Sequence, residues 1–289
     1  MPMKFALLGG DERSLLLAVC LSKAGHKVHS FALEKGELPP EVPKAGCIQS
    51  CVYGADCVIL PLPAVKEGRL NAPFAAAPPP APEELLPVLW PGQSLIGGKL
   101  PPSFTLEAMR QGIFVHDLLQ CPELAYGNAV LTAESALAPL ILGSKRSLWR
   151  SSCLICGWGR LAKLLALRLL ALGADVTVAA RSVSDRAMAQ AMGMKALAFD
   201  RLPPVLGSFD HVINTVPAQV LGAAELSLLR SGALLLELAS APGGFDREAL
   251  NSLGMEPVSA QGLPGRCCPQ TAAELMCQTI LSIMEDKEE

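Results

Sequence analysis

The stretch CLICGWGRLAKLLALRLLALGADVTVAAR, residues 153–181, decides how the rest of the chain is read. Its apolar run "CLIC" ends at Gly157, a second glycine follows at 159, and a long segment with helical spacing of leucines opens directly behind. After Gly173 comes another apolar run, "ADVTVAA". A strand, a glycine turn, a helix and a second strand, in that order, make the opening unit of a parallel sheet. Within it lies G-x-G-x-x-A. Gly157 permits the tight turn and Gly159 lets the backbone approach a pyrophosphate. Ala162 keeps the helix close to the sheet, and the helix N-terminus faces the anion. The triplet stands between the correct strand and helix, which predicts a Rossmann-type dinucleotide site.

The end of the second strand bears on which nucleotide. An acid there would hold the ribose hydroxyls, but this chain has Ala179-Ala180 followed by Arg181 and Ser182. An arginine with a hydroxyl neighbour suits a 2′-phosphate, so NADP is favoured over NAD. Arg160, in the turn itself, is placed to reach the pyrophosphate or a carboxylate. In "HVINTVPAQVL" the residues Asn214, Thr215 and Pro217 fall at another strand end of the same domain and add candidate cofactor contacts. "LELASAPGGFD" follows, and its Gly243-Gly244 allows close backbone approach.

Outward from this stretch, the pattern continues in both directions. Strands are expected at 196–199, 211–214, 233–238 and 256–259, and an amphipathic helix at 272–284 closes the chain. Upstream, "KFALLGG", "HKVHSFAL", "ADCVILPLP", "SLIGG" and "GIFVHDLL" read as five strands interleaved with helices, and the Pro- and Ala-rich piece 71–82 reads as a loop at a strand's carboxyl edge. The fold class is therefore α/β, with two doubly wound parallel-sheet domains. Residues 1–131 form a Rossmann-like or flavodoxin-like substrate domain and 147–268 the dinucleotide domain. Residues 269–289 are a helix returning to the first domain. Between the domains, "TAESALAPLIL" predicts a connecting helix within 132–146. A capping box opens it, with Thr132 as the cap and Glu134 and Ser135 behind it, and Pro139 kinks it.

Bulk properties exclude several classes. The 289 residues are 51% hydrophobic and 18% charged, with net charge −3, so sizeable cores form and no basic stripe exists for nucleic acid. The most apolar long segment carries Lys163, Arg168 and Asp175, which argues against a membrane span. "MPMKFALLGGDE" is too short an apolar run for a signal peptide. A soluble, cytosolic protein is the expectation. Among ten cysteines, Cys153 and Cys156 form a C-x-x-C, but inside a strand their side chains diverge, and no metal site is expected. The mean hydropathy of +0.36 is high for a monomer and points to a buried interface in a homo-oligomer.

Taken in order, "GGDER" at 9–13, "VILPLP" at 58–63, "GNAVLTAES" at 127–135, "GWGRLAKLLA" at 157–166, "LGADVTVAARS" at 172–182, "NTVPAQVL" at 214–221, "LASAPGGFD" at 238–246 and "GLPGRCCPQTA" at 262–272 resemble the A-subunit family of dipicolinate synthase. The resemblance spans nearly the whole chain. It implies NAD(P)-dependent oxidation of dihydrodipicolinate to dipicolinate, a flavoprotein-like second subunit, and expression in the mother cell of a sporulating bacterium. Its two-domain plan is similar to that of 2-hydroxyacid dehydrogenases and adenosylhomocysteinase. Two departures concern charge: Ala241 and Gln270 stand where the family pattern carries basic residues. Ser135 and Ala273 likewise replace glycines.

A dicarboxylate needs cations and polar groups, and its aromatisation needs a hydride acceptor and a base. Arg13, in "GGDER" after the first strand, and Lys99, after "SLIGG", are the candidate substrate cations, with Arg266 beside them. The resemblance adds Asn128 and Thr132 as substrate contacts. Glu134 and Asp11 are the candidate bases, Glu134 because partial burial at a helix start would raise its pKa. Two other functions fit the same residues. One is a two-domain dehydrogenase of another small carboxylate. The other is a non-catalytic nucleotide-binding subunit that serves a flavoprotein.

Overall fold

In the computed structural model the chain is described over residues 1–260 and 262–286. Gln261, next to the "GLPGRCCPQTA" piece, and residues 287–289 of the predicted C-terminal segment lie outside the described residues. Two compact units emerge: Met1–Asn128 together with the segment from Cys268 onward, and Ala129–Cys267.

The first unit is built on β1 (Lys4–Leu8), β2 (Lys27–Phe31) and β3 (Cys57–Ile59), then a small antiparallel hairpin of β4 (Val65–Lys66) and β5 (Arg69–Leu70), then β6 (Ser94–Gly97) and β7 (Phe114–Asp117). Its five-stranded sheet is parallel with the order β2-β1-β3-β6-β7. The order reverses between β1 and β3, so the crevice beyond their carboxyl ends is a topological switch point. From Phe5 to Leu8 β1 is apolar because both faces are covered. Phe5 and Leu7 enter one core cluster while Ala6 and Leu8 enter the other. α1 (Glu12–Lys23), α2 (Ile48–Val52) and α3 (Pro102–Arg110) flank the sheet. The last helix, α11 (Pro269–Asp286), belongs to this unit: its Ala273, Met276, Cys277 and Ile280 share a core with Leu17, Ala18 and Leu21 of α1.

The second unit holds β8 (Ser152–Cys156), β9 (Asp175–Ala179), β10 (Lys195–Leu197), β11 (His211–Asn214), β12 (Leu234–Glu237) and β13 (Val258–Ser259). They form one parallel sheet in the order β10-β9-β8-β11-β12-β13. Counted within the unit, that is 3-2-1-4-5-6, the doubly wound dinucleotide-binding order. α6 (Arg160–Ala171), α7 (Val183–Ala191), α8 (Ala223–Ser227), α9 (Arg247–Leu253) and α10 (Leu263–Cys267) complete it. α6 buries Ala162, Leu165, Ala166 and Leu169, the i, i+3, i+4, i+7 stripe of its sequence. Each fully buried leucine of that stripe contributes about 1.5 to 3 kcal/mol. Cys153 and Cys156 face opposite core clusters across β8, as a three-residue offset in a strand requires.

The link between the units differs from its expected form. α4 runs from Pro122 to Ser135 and α5 from Leu137 to Leu142. Thr132 is therefore inside a helix that began ten residues earlier, and it caps nothing. The true start signal is "CPEL": Pro122 takes the first helical position, where a missing N–H is harmless, and Glu123 complements the dipole. The break comes at Ala136, three residues before Pro139. A proline obstructs the turn before it, so it separates α4 from α5 rather than kinking one helix.

Candidate functional site

In the second unit the chain leaves β8 into the glycine turn. Gly157 has φ +102, and a Cβ there would sit 2.5 Å from Thr215 Oγ1 and 2.9 Å from Val216 Cγ2. Its N–H donates to the Ala179 carbonyl at 2.8 Å, which ties the turn to the end of β9. Gly159 is different. Its φ of −77 is open to any residue and no heavy atom lies within 4 Å of where its Cβ would be. Packing thus explains the first glycine and not the second. Gly159 caps α6, whose first N–H groups have no intrahelical acceptors. The open side of that helix start leaves room for a group to approach the backbone directly.

A cavity of about 670 Å³ opens at this turn, lined by Gly157, Trp158 and Gly159 on one side and by Ala180, Arg181, Ser182 and Asp185 on another. Phe199, Val216, Ala218, Gln219 and Val220 complete the lining. Its size suits a cofactor. Arg181 is exposed at the rim, directly after the buried Ala179 and Ala180. The Ser182 hydroxyl caps α7 by accepting from Asp185 N at 3.3 Å, which leaves its own proton to donate.

Gly157, Gly159, Arg181 and Ser182 therefore share one wall system. Arg160, Ala162, Asn214, Thr215 and Pro217 are not among its lining residues. Ala162 is buried beneath α6, and Arg160 is exposed at the helix start. Thr215 donates to the Cys156 carbonyl at 2.7 Å. Asn214 is wholly buried: its Nδ2 donates to Glu237 Oε1 at 2.7 Å and to the Val216 carbonyl, and its Oδ1 accepts from Val216 N. It shapes the loop that lines the cavity. Glu237, at the end of β12, also accepts from Ala239 N and Gly244 N, so one buried carboxylate fixes the whole 239–244 turn. Sequence reasoning passed over Glu237, because a single acid at the end of an apolar strand carries no pattern. It also missed Trp158, Asp185, Phe199 and Gln219, whose signal is the three-dimensional return of three loops.

The first unit carries a similar glycine turn that its own chain covers. The N–H of Gly10 donates to the Asn71 carbonyl at 2.9 Å, and a Cβ on Gly9 would lie 2.9 Å from Ala72 Cβ. Glu34 accepts from Ala32 N and Ala76 N, and Lys35 N donates to the Phe74 carbonyl, so the 71–76 segment is laced across this turn. Beside it, Asp11 caps α1 and holds Arg13 through Nε at 2.9 Å and Nη2 at 2.7 Å. Nη2 also donates to the Leu62 carbonyl. Arg13 is 8% exposed, and among the described residues its hydrogen bonds are made by Nε and Nη2, not by Nη1. Lys99 is exposed with φ +55, and Asp117 holds its backbone and that of Leu100.

On α4, Asn128 and Thr132 are four residues apart and share a face, whereas Glu134 lies about 200° around the helix from Thr132. Glu134 is exposed in the last turn. The helix-start position and the partial burial expected of it are both absent, because α4 begins at Pro122. Among the described residues no helix is long and apolar enough to cross a membrane.

Known proteins resemble this chain in sequence and fold. The family model for the N-terminal domain of the dipicolinate synthase A subunit matches residues 4–119. The dipicolinate synthase A subunit of Bacillus subtilis (strain 168) is 30% identical over 169 residues, which cover 58% of this chain and 57% of that relative. The crystal structure of the dipicolinate synthase A chain from Bacillus subtilis superposes with TM-score 0.88 at 25% identity, over 100% of this chain and 97% of that one. Residues 4–119 thus match the N-terminal domain of that family, and the fold of the solved A chain extends over the whole chain. A second crystal structure, of the A subunit of the synthase from Bacillus halodurans, has TM-score 0.89 at 24% identity with 97% of each chain covered, and it extends the shared fold over both units.

Proposed function

We propose that the second unit binds NADP at the Gly157–Gly159 turn. On this reading the chain is the oxidoreductase subunit of a dipicolinate synthase, converting dihydrodipicolinate to dipicolinate with a flavoprotein-like second subunit in a sporulating mother cell. The observation that carries this reading is the open face of Gly159 at the start of α6, which gives onto a cavity whose opposite wall ends in Arg181. When bound, the cofactor accepts the hydride that leaves the dihydropyridine ring. Everything else falls to the chain. The helix start and the Gly159 backbone hold the pyrophosphate, and the Arg181 guanidinium with the Ser182 hydroxyl binds the 2′-phosphate. Arg13 is held rigid by Asp11 and the Leu62 carbonyl, so its Nη1 hydrogens meet a substrate carboxylate without an ordering cost. Lys99, Asn128 and Thr132 remain substrate contacts by resemblance.

One observation favours the non-catalytic reading. Asp11 is committed to Arg13 and to the α1 cap, and Glu134 is exposed, so neither nominated base sits in a site made for proton removal. The test is turnover. Dihydrodipicolinate generated in place is mixed with NADP⁺ and this chain, with and without a flavoprotein-like partner, and both NADPH and dipicolinate are followed. Stoichiometric appearance of the two supports the enzyme reading. Product that forms at the same rate without this chain contradicts it.

A further inference from the structure

One side chain that does not itself line the cavity bonds to the backbone of the turn that does. Arg186 is half-buried on the first turns of α7, and its Nη1 donates to the Ala180 carbonyl at 2.8 Å and to the Arg181 carbonyl at 2.6 Å. These two successive carbonyls lie where the chain leaves β9. The Ala180 N–H is fixed as well, to the Leu197 carbonyl at 3.1 Å. One guanidinium thus sets the direction in which the exposed Arg181 side chain departs. Asp185 lines the same cavity as Arg181.

We propose that Arg186 is a positioning residue for cofactor discrimination: it fixes the 180–181 turn and presents Arg181 to the 2′-phosphate of the bound nucleotide. The inference rests on the reading of the cavity as a dinucleotide site. Charge-assisted bonds of arginine to phosphate depend on geometry, so a loosened turn weakens the phosphate contact while the shared adenosine contacts stay.

The experiment compares 2′,5′-ADP with 5′-ADP by calorimetric titration of the full chain. Wild type, Arg186→Gln, Arg186→Lys, Arg181→Gln and the Arg181→Gln/Arg186→Gln double variant are used. Wild type is expected to prefer 2′,5′-ADP. Arg186→Gln is expected to reduce that preference about tenfold, the worth of one charge-assisted hydrogen bond, with 5′-ADP affinity unchanged. Arg186→Lys, which can still reach one carbonyl, is expected to retain part of it, and it supplies the comparison should the Gln variant not fold. Because Arg186 acts through Arg181, the double variant is expected to discriminate no worse than Arg181→Gln alone. An undiminished preference in Arg186→Gln overturns the proposal while the cavity reading stands, and so does an equal loss for both nucleotides. Failure of wild type to bind either nucleotide overturns both.

Discussion

The two glycines of the turn separate folding from binding. In Gly157→Ala the new methyl carbon would lie 2.5 Å from Thr215 Oγ1 and 2.9 Å from Val216 Cγ2, at a φ of +102. The left-handed conformation costs an L-residue about 1 to 2 kcal/mol, and overpacking adds about 1 to 3. Thr215 would also be displaced from its 2.7 Å bond to the Cys156 carbonyl. The total is about 2 to 5 kcal/mol, which lowers the melting temperature of a unit this size by about 5 to 15 °C. Gly159→Ala is a different case. Its φ is ordinary and its Cβ meets nothing within 4 Å. The gain of about 0.4 to 1 kcal/mol from a stiffer unfolded chain offsets a poorer helix cap, worth about 0.5 to 1. Stability is then unchanged, yet the methyl stands where the pyrophosphate approaches, and NADP affinity falls about ten- to a hundredfold. Denaturant unfolding and calorimetric titration of both variants read the two quantities. A stable Gly159→Ala protein that binds NADP as tightly as wild type would refute the reasoning.

Other expectations follow from the buried polar groups and thiols. Glu237→Gln places an amide against the Ala239 and Gly244 N–H groups and Asn214 Nδ2, and is expected to cost about 1 to 3 kcal/mol in chemical denaturation; no change would show that the 239–244 turn is held otherwise. Burial pushes the Cys156 and Cys51 thiols up to about 12 and those of Cys153 and Cys277 up to about 11. The hydrogen bond between Cys47 Sγ and Ser50 Oγ draws the exposed Cys47 thiol down. Alkylation at pH 8, mapped by peptide mass, is expected to mark Cys47 early and the other four last, and early labelling of Cys156 contradicts the buried strand. Burial holds the pKa of His211 below its ordinary 6.5. As pH falls through 6.5 the unfolded chain takes up a proton that the folded one does not, so His211 removes stability on the acid side. Melting curves from pH 7.5 down to 5.5 are expected to fall less steeply in His211→Gln, and parallel curves would exclude this contribution.

Much of this architecture was legible because strong local patterns agree with the fold. β8, α6 and β9 were readable from "CLIC", the leucine stripe and "DVTVA", since a strand buried on both faces is uniformly apolar and a packed helix repeats every three to four residues. The connecting helix was misread because Thr132 with an acid behind it imitates a cap, while Pro122, the real start, sits where a turn was equally plausible. Of the site, the glycines, Arg181 and Ser182 follow from position along one strand–turn–helix unit. Asp185 and Gln219 do not, because separate segments return them to one cavity, and Arg186 and Glu237 act through bonds to distant or turn backbone that no local pattern announces. Asn214 was legible as a strand-end residue but not in its role, since only the structure reveals its bond to Glu237.

The proposed dinucleotide site is the glycine turn of the second unit. Crystals of the chain grown with NADP⁺ test it most directly. The pyrophosphate is expected on the Gly159 backbone at the start of α6, with the 2′-phosphate against Arg181. NADP⁺ found instead over the Gly9-Gly10 turn of the first unit, where the 71–76 segment would have to be displaced, would contradict it.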